Sequence, residues 1–287
     1  MFTSLNPGTL AFSVPLEEAL QLAKDYHFTA LDLPLSQLWQ LAQETSIQGV
    51  KDRFEAVSIR PGGWGLPVDF RGPEEVYQAG LAKLPDYAAL AQALGSPWCT
   101  TWILPFSDEL DYSANMELHA RRLRPVAQIL ADHGSRFGLE FVGPRTMRDG
   151  HKYPFISTID GALELGHLLK TDNNTGLLLD CWHWYTSHGT VEDLERLTAD
   201  QVVYVHVNDA PVGPAIDEQI DNQRLLPGVS GVIDIVGFLQ ALDHMGYNGP
   251  VVAEPFDASL KALAPAERVR LTRESLSKIW TQAGLSE

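Results

Sequence analysis

The chain has 287 residues, 45% apolar and 20% charged, which suits one soluble α/β domain large enough to bury a full core. Its 21 Lys and Arg stand against 37 Asp and Glu, a net charge of −16, and no basic cluster is present to displace phosphate counterions. Nucleic acid and anionic membranes are therefore excluded as partners, and two cysteines, Cys99 and Cys181, are too few for a disulfide framework or a Cys-type zinc site. No basic residue precedes Lys24 and no run of about 18 apolar residues occurs, so neither a secretory leader nor a membrane span is expected, and the expected location is cytoplasmic.

Short apolar, β-branched runs alternate with longer segments of helical period. In chain order the strand candidates are 8–12 (GTLAF), 29–35 (TALDLPL), 56–61 (AVSIRP), 99–104 (CTTWIL), 137–142 (FGLEFV), 175–180 (TGLLLD), 202–207 (VVYVHV) and 250–255 (PVVAEP). Helical patterns fall at 15–26, 74–94, 117–134, 158–170, 191–197, 232–246 and 264–283. The first opens on Pro and acidic residues, as a helix N-terminus prefers, and the second is expected to break or kink at Pro85. Strict alternation implies parallel strands joined by crossover helices. Runs such as LLL and VVYV suit strands covered on both faces. Eight such repeats, with no GxGxxG after the first strand, favour a single (β/α)₈ barrel over residues 1–287 rather than an open dinucleotide-binding sheet.

In such a barrel the chemistry lies at the C-terminal strand ends. Strand five ends on Glu140, strand six on Asp180, strand seven carries His206 and strand eight ends on Glu254. Each alone is ordinary: a carboxylate at a strand end is often a helix cap, and a lone His in a strand is usually a satisfied core residue. Together, three carboxylates converging in one place would repel unless a cation sat between them. Three carboxylates and an imidazole suit Mn²⁺, Mg²⁺ or Co²⁺, with Zn²⁺ also possible.

The segments GLEF, LLLDCWH, VHVND and VVAEPF resemble those of the xylose isomerase-like TIM barrels, the sugar phosphate isomerase/epimerase superfamily, and within it the ketose 3-epimerase and inosose-processing group. The likeness runs from about residue 8 to 280 and is sharpest in D-x-x-H at Asp180–His183 and H-x-x-D at His206–Asp209. It implies that Glu140, Asp180, His206 and Glu254 bind one divalent metal, Mn²⁺ foremost. It implies that Glu140 and Glu254 act as an acid/base pair, that His183 hydrogen-bonds a substrate oxygen, and that Arg224 binds substrate. Trp102 and Trp182 are further substrate-binding candidates through their aromatic faces. Asp209 is expected behind the ligands, orienting His206 or a loop amide.

The expected substrate is a small sugar or polyol. A metal chelated by two adjacent substrate oxygens would stabilise an enediolate, and the two carboxylates would move the proton, giving isomerisation or epimerisation. The same intermediate could expel a β-hydroxyl, which makes a lyase or dehydratase of a keto-polyol or 3-keto sugar the alternative. A barrel that binds ligand without turnover is the second alternative. Helix surfaces and the 143–156 and 210–230 loops could support a homodimer or homotetramer.

Overall fold

The computed structural model describes residues 1–171 and 174–286, so the last position of the expected domain, Glu287, lies outside the described residues. The strands are β1 (Phe2–Leu5), β2 (Ala30–Leu31), β3 (Arg60–Pro61), β4 (Trp64–Gly65), β5 (Trp98–Trp102), β6 (Phe106–Ser107), β7 (Arg136–Glu140), β8 (Tyr153–Pro154), β9 (Thr175–Asp180), β10 (Val202–Val207) and β11 (Pro250–Ala253). The helices are α1 (Leu16–Asp25), α2 (Leu35–Glu44), α3 (Ile47–Val57), α4 (Glu74–Leu94), α5 (Tyr112–Asp132), α6 (Ile159–Leu169), α7 (Cys181–Thr186), α8 (Val191–Glu195), α9 (Ile235–His244) and α10 (Pro265–Ala283).

Nine strands pair in the order β3-β2-β1-β11-β10-β9-β7-β5-β4, all parallel. The two ends of that order, β3 and β4, are one chain segment interrupted at Gly62-Gly63. Its first half pairs with β2 and its second with β5. The backbone carries the closure through: Gly62 N–H donates to the Leu31 carbonyl at 2.7 Å and Leu66 N–H to the Thr100 carbonyl at 2.8 Å. The sheet is thus a closed ring of eight strand positions with helices outside, the α/β barrel expected. β6 and β8 form a separate two-stranded antiparallel sheet above it.

The core follows from the apolar strand runs. All six residues of β10 and all four of β11 are buried, as are five of six in β9. Each fully buried Leu or Val is worth about 1.5–3 kcal/mol relative to exposure.

Two expectations need correction. The first strand is not 8–12: that segment forms turns, and β1 is Phe2–Leu5, paired with β11 through Phe2 and Thr3. Asn6 explains the turn, since its Oδ1 accepts from Gly8 N–H at 2.9 Å in an Asx turn that ends the strand. Nor does Pro85 break α4, which runs unbroken from Glu74 to Leu94 and stops at Gly95 in the left-handed conformation, φ 78°. Pro at 85 removes one donor, yet buried Leu84, Ala88 and Ala91 hold the helix on the barrel. Two helices, α2 and α3, occupy a stretch for which no helix was expected.

Candidate metal centre

Register places the polar residues at one height. Trp102 pairs with Glu140, Asp180 with His206, His206 with Val252 and Val207 with Ala253, so Glu254 follows on the next position. Glu140 ends β7, Asp180 ends β9, His206 is the last residue but one of β10, and Glu254 immediately follows β11.

One ligand atom from each of Glu140, Asp180, His206 and Glu254 lies within 4.8 Å of all the others. His206 Nδ1 is 3.4 Å from Glu140 Oε1, 3.4 Å from Glu254 Oε2 and 3.9 Å from Asp180 Oδ2. Glu140 Oε1 and His206 Nδ1 are buried without a hydrogen-bond partner among the described residues. Buried polar atoms are rarely left so, and hard oxygens with one imidazole are the donors a divalent cation takes. The residues present therefore fit such a group.

The electrostatics record the crowding. Burial, with Glu254 and Asp180 nearby, lifts the Glu140 carboxyl well above its ordinary value even though His206 lies close to it. Burial would raise Glu254 too, but His206 and Arg224 overcome it and hold it below its ordinary value. Burial alone would lower His206; Glu254 and Glu140 lift it well above its ordinary value. Three buried carboxylates so arranged demand positive charge between them.

Asp180 shows that the helix-cap reading and the ligand reading coexist. Its Oδ1 accepts from Trp182 N–H at 2.8 Å, capping α7, and from Asn208 Nδ2 at 2.9 Å. Its Oδ2 faces the centre and accepts from Arg224 Nη1 at 2.7 Å.

Arg224 is fully buried. Nη1 also donates to Glu254 Oε2 at 2.8 Å, Nη2 to Asp221 Oδ1 at 2.9 Å and Nε to the Asp221 carbonyl at 2.8 Å. Its guanidinium lies 5.3 Å over Trp182 and 4.6 Å over Phe256. Those carboxylates hold its pKa above the ordinary arginine range despite burial.

His183 Nδ1 is 3.2 Å from Gly143 N–H, and Nε2 is 3.3 Å from Arg224 Nη2 and 3.9 Å from Glu140 Oε1. A neutral imidazole accepts at one nitrogen only. Both neighbours, the Gly143 amide and Arg224 Nη2, are donors, so the neutral ring accepts from only one of them. Burial and then Arg224 hold the ring neutral, its pKa pulled down to about 3.

The remaining expected residues are placed as follows. Trp182 is fully buried beneath Arg224, and Trp102 is 43% exposed with the Arg71 guanidinium 4.1 Å over its ring. Asp209 turns away from the ligands. Its oxygens accept from the amides of Ala210 and Ile233 and of Ser230 and Gly231, pinning the loop that follows β10.

Sequence reasoning missed Asp32 and Tyr204. Asp32 follows β2 and is buried; it accepts from Ser4 Oγ at 2.7 Å, Asn6 Nδ2 at 3.0 Å, Gly63 N at 3.0 Å and the Tyr204 hydroxyl. Burial raises its pKa, and the Tyr204, Ser4 and Gly63 donors, with His206 nearby, oppose the rise. Tyr204 meets His206 edge-on, ring centroids 5.4 Å apart. The Asp in TALDLPL was the available signal: a charged residue in an otherwise apolar strand run.

The sequence profile of the xylose isomerase-like TIM barrel family matches residues 13–281. The chain belongs to that family. An "inosose isomerase" of Halalkalibacterium halodurans is 24% identical over 249 residues, 85% of this chain and 84% of the relative. A "3-dehydroshikimate dehydratase" of Pseudomonas aeruginosa is 30% identical over 148 residues, 50% of this chain but only 22% of that longer protein. Among solved structures, a xylose isomerase domain protein from Alicyclobacillus acidocaldarius is 34% identical with a TM-score of 0.88, covering 99% of both chains. The IOLI protein with a binding zinc atom shares the fold at 20% identity, TM-score 0.81, over 99% of both chains. The two curated relatives named above are thus an isomerase and a dehydratase, both enzymes. No helix among the described residues is long and apolar enough to cross a membrane.

Proposed function

We propose that the chain is a divalent-metal-dependent isomerase or epimerase of a sugar, ketose or inosose. The carrying observation is the convergence of Glu140, Asp180, His206 and Glu254 within 4.8 Å, two of their buried atoms lacking a hydrogen-bond partner among the described residues. The donor set favours Mn²⁺; the zinc in the IOLI structure keeps Zn²⁺ among the alternatives. A cation held by these four residues would act as a Lewis acid on two adjacent substrate oxygens and acidify the C–H between them.

The chain's own groups do the rest. Glu140 and Glu254 flank His206 at 3.4 Å each, so a carbon lying against them meets one carboxylate from either side. One removes the proton and the other returns one. His183 hydrogen-bonds a substrate oxygen. Arg224, anchored on Asp221, steadies Asp180 and Glu254. The whole chain acts as one barrel domain in the cytoplasm.

The test is exchange of substrate C–H with solvent deuterium, followed by NMR across a panel of ketoses and inososes with metal-loaded protein. Exchange that disappears on chelation and returns with Mn²⁺ is expected. No exchange with any member of the panel refutes the reading.

A second reading has its own support in the dehydratase relative: elimination of a β-hydroxyl from a keto-polyol at the same centre. It predicts a new conjugated ultraviolet absorbance, which isomerisation does not produce.

A further inference from the structure

Two cavities meet at the carboxylate cluster. One, about 430 Å³, runs over the ends of β1, β2 and β4 past Asn6, Thr9, Asp32 and Trp64 to His206 and Glu254. The other, about 490 Å³, runs from Glu140, His206 and Glu254 over Pro67, Asp69, Arg71 and Trp102. Arg71 is the single Lys or Arg lining either cavity among the described residues.

Its setting is built rather than incidental. The guanidinium lies 4.3 Å over the Phe70 ring and 4.1 Å over Trp102, and Nη2 donates to the Trp102 carbonyl. These contacts fix the plane and leave the other N–H groups without a protein acceptor among the described residues. Asp69, on the same loop, accepts at Oδ1 from the amides of Arg71 and Gly72 at 3.2 and 2.9 Å. Although Arg71 is exposed at the cavity mouth, partial desolvation pulls it down to about 10, which leaves it charged at neutral pH.

The other arginines and the lysine near the strand-end loops are engaged elsewhere. Arg145 pairs with Asp149 and Asp217, and Arg148 donates to the carbonyls of Gly143 and Pro144. Lys152 lies over Tyr153, and Arg60 sits over Phe2 near the N-terminal end of β1. Arg224 is saturated by Asp180, Glu254 and Asp221.

We propose that the substrate carries a carboxylate on its carbon skeleton, and that Arg71 pairs with it while the hydroxyketone part lies against Glu140, His206 and Glu254. This rests on reading that cluster as the reaction centre. A planar fork held by its faces presents paired N–H groups at its edge, the geometry a carboxylate matches. A phosphate dianion calls for more positive charge. The nearby N-terminus of α4 instead carries Glu74 and Glu75, which repel it.

The test is calorimetric titration of the metal-loaded protein with quinate and with myo-inositol, two cyclohexane polyols of which only the first carries a carboxylate. Neither needs to react, so the result is separate from the exchange assay that judges the catalytic reading. Quinate is expected to bind about 10–100-fold more tightly, the worth of a charge-assisted hydrogen bond. That advantage collapses in Arg71→Gln and survives in part in Arg71→Lys, with thermal midpoints matching the parent. Equal affinities, no quinate binding, or an advantage that persists in R71Q overturns the proposal. Inorganic phosphate binding more tightly than quinate in an Arg71-dependent way overturns the carboxylate assignment.

Discussion

The half of the barrel formed by β7, β9, β10 and β11 and the half formed by β1 to β4 solve different problems. The former has strands of four to six residues, almost wholly buried, and each carries a candidate ligand at or next to its C-terminal end. The latter has strands of two residues, β1 apart, and its ends carry neutral or hydrogen-bonded groups that line a cavity. Long ladders fix carboxylate positions against mutual repulsion, whereas short ones leave backbone free to shape a pocket. On this view the ligand half governs the chemical step and the cavity half governs what is bound.

The largest effect that separates the halves is expected at Glu254. Glu254→Gln keeps the shape and removes the carboxylate that faces His206 at 3.4 Å. Turnover should fall by about 10²–10⁴-fold or more, the span of general acid–base loss. The thermal midpoint should hold, because Arg224 keeps Asp180 and Asp221 as partners. Unchanged turnover in this variant removes Glu254 from the chemistry.

Acid should find the cavity half through His119. This residue of α5 is buried against Phe70, at 5.6 Å, and Phe155, at 4.9 Å, beneath the loop that carries Arg71. Burial pulls its pKa from 6.5 down to about 4, and Nε2 has no partner among the described residues to solvate a charge. The folded state thus binds fewer protons than the unfolded chain between those values. Its contribution is fully present above pH 6.5 and is lost as pH falls toward 4, worth about 3 kcal/mol. Denaturant titrations of His119→Leu across that window should show a flatter loss of stability than the parent. Identical slopes would show that His119 is not the group that titrates.

These two regions also differ in how far the sequence disclosed them. TGLLLD and VVYVHV read as strands with the bounds the structure has, because apolar side chains at successive positions have few other homes. The same strands brought Asp180 and His206 to notice, since a charged or titratable group ending an apolar run needs a reason. The first strand was misplaced because FTSL is short and mixed, and GTLAF looked more β-like. The pair α2–α3 is masked in the sequence by the strand-like composition of LDLPL. Buried Leu35, Leu38 and Ala42, at helical spacing, were the overlooked cue. Asp32 and Tyr204 meet 172 positions apart in sequence, a pairing only the closed ring creates.

At the seam between β3 and β4 a smaller effect is expected. A Cβ on Gly63 would run into the Tyr204 ring, and Tyr204 in turn touches Asp32 and His206. Gly63→Ala should cost about 1–3 kcal/mol of stability, read by chemical denaturation, because the ring cannot retreat in a packed barrel. A cost near zero would mean the cavity half is looser than its hydrogen bonds suggest.

The mildest change, and the one that draws the comparison most finely, is Asn6→Ala. Asn6 lines the cavity, donates to Asp32 at 3.0 Å and accepts from Gly8 N–H at 2.9 Å. It is far enough from Glu140 that no hydrogen bond links them. Losing one neutral hydrogen bond to a bound substrate is worth about 1 kcal/mol, or roughly a 5-fold change in an equilibrium. If the cavity half sets binding alone, KM should rise by about that factor while kcat holds. A fall in kcat with KM unchanged would show that Asn6, through Asp32 and Tyr204, reaches His206 and the chemical step, and the division between the two halves would dissolve.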